Sequence, residues 1–113
     1  MGQVEDELRP DVVAEIRAGD PQQGMAGEHD IESSSLGQAV FWRDTYREIL
    51  AMEEKVMARI LELMAAQSVT ARREAEISNV PVIAAQLERF RSRLGYWQER
   101  LDRHLAEPDP LAH

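Results

Sequence analysis

The chain has 113 residues, 21 of them acidic and 13 basic, for a formal net charge of −8. That length holds one domain. The lack of cysteine excludes disulfides, thiolate nucleophiles and Cys-ligated zinc or iron–sulfur centres. No apolar run reaches the roughly 18 residues of a transmembrane helix. The first residues are acidic, the opposite of a signal-peptide start, so the expectation is a cytoplasmic protein with no membrane partner. Lys55 is the single lysine among the 13 basic residues, beside 14 alanines, a composition in keeping with a GC-rich bacterial genome.

The charge is uneven along the chain. Residues 1–35 carry nine acids against Arg9 and Arg17, a net −7, while residues 81–104 carry +2. The N-terminal stretch also holds four of the six glycines and none of the aromatics. It has too little apolar surface to offset its ordering entropy, so residues 1–34 read as a disordered acidic arm. Within it, Leu8, Val12, Val13 and Ile16 recur at helical spacing, with Pro10 suited to a first turn and Gly19 to a stop. Residues 10–18 are too short to be stable alone. They read either as a transient helix or as a docking segment built on Val12, Val13 and Ile16.

The first long helix starts near Ser35, which with Gln38 fits a capping box. Trp42, Tyr46, Ile49, Glu53, Val56, Ile60 and Leu63 then alternate at spacings of four and three, a heptad seam with one charged member. A second seam runs through Ile83, Leu87, Phe90, Leu94, Trp97, Leu101 and His104, behind a start at Pro81. Each seam is about 33 Å long at the helical rise. Equal seams imply an all-α fold, an antiparallel helical hairpin over residues 35–106 with helices at 35–67 and 81–106. The simplest register sets Leu63 against Ile83, Val56 against Phe90 and Ile49 against Trp97. The connector, residues 68–80, is either a loop or carries a short third helix, and residues 107–113 form a tail.

Beside its seam the first helix has a second apolar stripe, Leu50, Met57, Leu61 and Met64, with Met52 on the other flank. Two helices make a thin core, and an uncovered stripe marks an interface. The stripe predicts a homodimer that completes a four-helix bundle. Phe41 and Tyr96 lie off the seams and are further candidate interface anchors.

Catalytic and metal-binding patterns are scarce. His29, His104 and His113 form no H-E-x-x-H or E-x-x-H pair, and no phosphate-cradling glycine loop occurs. No catalytic residue, metal or cofactor is expected. Glu53 is the residue that stands out, because a buried carboxylate needs a partner. Arg91 or Gln98 across the hairpin can supply one, making Glu53 and Arg91 a register-setting polar pair. The rival reading is a small bundle enzyme centred on Glu53, which no second inward acid supports.

Arg89, Arg91, Arg93, Arg100 and Arg103 make the second helix locally basic. Nucleic-acid binding follows only weakly from a helix that nets +2 in an acidic protein. The leading expectation is a non-enzymatic interaction or assembly module with a protein partner. The alternative is a nucleic-acid- or transcription-associated regulator using the arginine helix, with the acidic arm as its cover.

Overall fold

A computed structural model describes residues 22–107. Every regular element among them is helical: α1 is Leu36–Met64, α2 is Val69–Ile77 and α3 is Asn79–Ala106. The Val12, Val13 and Ile16 segment lies outside the described residues.

Helix α1 begins where its capping chemistry sets it. The Ser35 hydroxyl accepts from the Gln38 N–H at 3.2 Å, and the Gln38 side chain accepts from the Ser35 N–H at 2.9 Å. Two orphan donors are thereby satisfied. The helix ends without a glycine. Its last carbonyls are taken up by tightened bonds, Ala66 N–H to Leu63 and Gln67 N–H to Met64, both 3.1 Å. Ser68 then caps α2 by accepting from the Ala71 N–H. The hairpin thus turns at residues 65–68, and most of the stretch read as a connector is helix.

α2 and α3 form one bent arm. Ser78 interrupts them with φ −123° and ψ −81°. Pro81 explains the break: a continuous helix would need its missing N–H on the Ile77 carbonyl, and its ring would clash there. At the break the Ser78 N–H turns to the Ala75 carbonyl, and the Ser78 hydroxyl donates to the Glu74 carbonyl at 2.6 Å in its place. α3 starts at Asn79, so Pro81 occupies its first turn, where a missing N–H costs nothing.

The core gathers at the open end of the hairpin. Ala39, Trp42 and Tyr46 of α1 meet Phe90, Trp97 and Leu101 of α3. Trp42 stacks on Trp97 at 6.2 Å between ring centroids, and Tyr46 tilts against Phe90 at 6.1 Å. Both separations lie in the favourable range for aromatic pairs. The expected register, with Ile49 against Trp97, is therefore wrong by one heptad, since Trp97 meets Trp42 instead. A heptad seam repeats under a seven-residue slide, so its pattern cannot choose between the two. The early turn at 65–68 selects the slid pairing. As a result Leu101 reaches the first turn of α1, and His104 runs past it and needs another cover.

Residues 22–35 supply it. Read as part of the flexible arm, they instead lie as a strap across α1 and α3. Met25 and Ile31 pack on the aromatic core. Gly27 takes φ +82°, a conformation that favours glycine. A side chain at Gly24 would collide with the Glu28 carboxylate. The reason for the difference is that the strap is held by polar bonds into a buried site, which an apolar-content criterion does not count. Gly95, in contrast, faces open space, so it admits no close backbone within this chain.

Candidate functional site

The strap closes on a polar centre built around Glu28. Its carboxylate, with a side chain only 3% exposed, is held on both oxygens. Arg93 Nη2 donates to Oε2 at 2.6 Å, and Trp97 Nε1 donates to Oε1 at 2.8 Å. The Arg93 side chain is 7% exposed, so both charges are shielded from water. Such a pair stands only because each charge has its partner. Next to it, Trp42 Nε1 donates to His29 Nδ1 at 2.8 Å. That bond requires a bare Nδ1, which puts the neutral ring's proton on Nε2. The Met25 N–H donates to the Tyr46 hydroxyl at 3.3 Å.

The rest of the strap follows α3 toward its C-terminus. Arg103 grips both Glu32 oxygens, at 2.8 and 2.9 Å. The Ser34 carbonyl accepts from Arg100 at 3.0 Å and lies 2.9 Å from His104 Nε2. At the other end Gln22 donates to the Tyr96 hydroxyl at 2.9 Å, and the Arg93 guanidinium lies 5.6 Å from the Tyr96 ring centre. Tyr96, expected as an interface anchor, is thus half-buried and engaged by the strap.

Three groups here titrate away from their ordinary values: Tyr46, Glu32 and its partner Arg103, which the Glu32 hydrogen bond raises. Burial, and after it the Glu28 carboxylate, hold the Tyr46 hydroxyl above its usual value near 10. The hydrogen bond from Arg103 holds the Glu32 carboxyl below its usual 4.5. A group raised in the folded state stabilises fully below its unfolded value and loses that contribution as pH rises through the folded one. Stability to urea is therefore expected to fall above about pH 10, and Tyr46→Phe to flatten that fall. The Glu32 contribution runs the other way. It is present above 4.5 and is lost as pH drops through the lowered value, with a small amplitude because the pair is exposed.

The arginines of α3 turn toward intrachain acceptors. Arg91 reaches Glu88 at 2.8 Å and Glu54 at 3.9 Å. Arg89 lies over the Phe90 ring at 5.5 Å. The expected pair of Glu53 and Arg91 is not formed: the Arg91 guanidinium stays at the exposed margin, between Glu88 and Glu54. Gln98, the other expected partner of Glu53, accepts from Arg43 at 3.2 Å. Glu53 is half-buried, and no group of three or more histidines and carboxylates fit to hold a metal occurs among the described residues. No described helix is long and apolar enough to cross a membrane.

Comparison with protein-family models, curated proteins and solved structures gives no match.

A second surface lies along α1. Of the stripe Leu50, Met57, Leu61 and Met64, Met64 is buried within the chain and Leu50 and Met57 are half-buried. Only Leu61 remains exposed, so that stripe is not a continuous outer face. The open apolar residues are two positions expected in the seam itself, Val56 at 40% and Leu63 at 47% exposed, and beside them Phe41 at 58% and Met52 at 57%. At about 100° per residue these four fall within roughly 60° of one another, a single stripe along α1. The sequence carried Met52 and Phe41 beside the seam. It did not show that α3 would leave Val56 and Leu63 open and cover the Leu50 flank, because that flank borders the same seam.

Proposed function

We propose that the protein is an assembly module that pairs with a second copy of itself through the exposed stripe of α1. Support comes from the self-complementarity of that stripe. In an antiparallel twofold pairing centred near residue 54, Met52 faces Val56 of the second copy and Val56 faces its Met52. Leu63 then falls beside Thr45 of the other helix. Glu48 and Arg59 lie on the same stripe, at nearly equal distances from the centre. The twofold sets each beside its opposite charge on the other copy. A surface that matches itself in both apolar and charged positions is what an isologous dimer requires. The four long helix arms would then form a four-helix bundle.

Charge reversal tests this pairing. Glu48→Arg sets like charges together at two symmetry-related places, and dimerisation is expected to weaken about ten-fold. Adding Arg59→Glu restores opposite charges, so the double variant should recover most of the affinity by sedimentation equilibrium. Weakening that the second change deepens would reject the twofold register.

A further inference from the structure

We infer that the α3 face beneath the strap is a receptor for an acidic peptide segment of a partner protein, and that the strap occupies it in cis. This surface is separate from the α1 stripe, so either assignment stands or fails without the other.

Four observations carry the inference. First, the strap is held as a bound peptide is held. The hydrogen bonds described between residues 22–34 and the two long helices all run through helix side chains: Arg93, Tyr96, Trp97, Arg100, Arg103 and His104 on α3, Trp42 and Tyr46 on α1.

Second, the recognition has a spacing. Glu28 and Glu32 are read by Arg93 and Arg103, ten residues apart on α3, or about 15 Å along the helix. Four residues of peptide cover at most about 13 Å, and the long guanidinium side chains span the remainder. Met25 and Ile31 add apolar anchors three residues before and three after Glu28. The ligand is thus a segment with two carboxylates four residues apart, the second within a turn like that of Ile31–Ser34, and a large apolar side chain on either side of the first.

Third, the site has more donors than the strap uses. The Nε groups of Arg93, Arg100 and Arg103 are buried without an acceptor. A native fold leaves few such groups, and a ligand richer in acceptors would satisfy them. Fourth, an open groove of about 690 Å³ runs between the strap and α3, with Arg93, Tyr96, Glu99 and Arg103 in its helical wall and the strap, Asp30 included, as the other. An incoming segment has room to engage there before the strap leaves.

The strap acts as an intramolecular competitor at high effective concentration. Loosening it must therefore raise affinity for the same chemistry offered in trans. The probe is a fluorescent synthetic peptide of residues 22–35, titrated by anisotropy into the full chain and into its Glu28→Gln/Glu32→Gln variant. The peptide should bind the variant at least ten-fold more tightly than the unaltered chain. A peptide with both glutamates replaced by glutamine should bind neither, and adding Arg103→Ser to the variant should lower the affinity. If the double variant is unfolded by circular dichroism, Glu32→Gln alone replaces it, because that pair is exposed; a gain of at least two-fold is then expected. Equal affinity for altered and unaltered chains overturns the inference, as does equal binding of the glutamine peptide. Binding of a single-stranded oligonucleotide instead of the peptide overturns it too. So does stronger self-association of the variant without a gain in peptide binding, since the occupant would then be a second copy.

Discussion

Replacing Glu28 by alanine is expected to destabilise the fold by about 3–5 kcal/mol, the cost of stranding a buried charge. Arg93 would keep its charge at a site its own side chain barely shares with water. Trp97 would lose the acceptor of its indole N–H. Glu28→Gln should cost less, since one amide oxygen still accepts a bond while the charge attraction is lost. The paired change Glu28→Leu with Arg93→Met removes both charges together. It should recover much of the loss, because apolar replacements of buried ion pairs are often neutral. Urea denaturation of the unaltered chain, Glu28→Leu, Arg93→Met and the pair closes a double-mutant cycle. A loss below about 1 kcal/mol for Glu28→Ala would mean that the strap does not close this site in solution.

The second large effect concerns assembly. Val56→Glu places a carboxylate at the centre of the α1 stripe, twice per twofold dimer. Burying it unpaired costs several kcal/mol, so the dissociation constant should rise at least 100-fold, or about 2.7 kcal/mol. The fold of the single chain should hardly change, because Val56 is already 40% exposed. Thermal melting at low concentration separates the two effects. A variant that still dimerises with unchanged affinity would place the interface elsewhere.

The heptad seams, the Ser35 capping box and the all-helical class were legible in the sequence because they rest on local periodicity and local hydrogen bonding. The pairing of Trp42 with Trp97 was not, since a heptad pattern is unchanged by a seven-residue slide. Which face of α1 stays open was equally hidden. Val56 and Leu63 read as seam residues and Leu50, Met57 and Met64 as the free stripe, yet the first two are exposed and the other three buried or half-buried. Glu28 was missed for a different reason. Beside His29 and Asp30 it reads as a solvated turn, and its partner Arg93 lies 65 residues away. The one local sign was the pair Gly24 and Gly27, where a close carboxylate and a positive φ leave room for glycine alone. The acidic N-terminal stretch and the arginines of α3 were each noted for their charge. The structure joins part of them, from Glu28 to Ser34, into a single contact with α3.

Self-association through the exposed stripe of α1 is the central functional claim, and sedimentation equilibrium of the unaltered full chain at micromolar concentration tests it most directly. A species of about twice the 12.9 kDa chain mass is the predicted result. A single species of 12.9 kDa at those concentrations would contradict it.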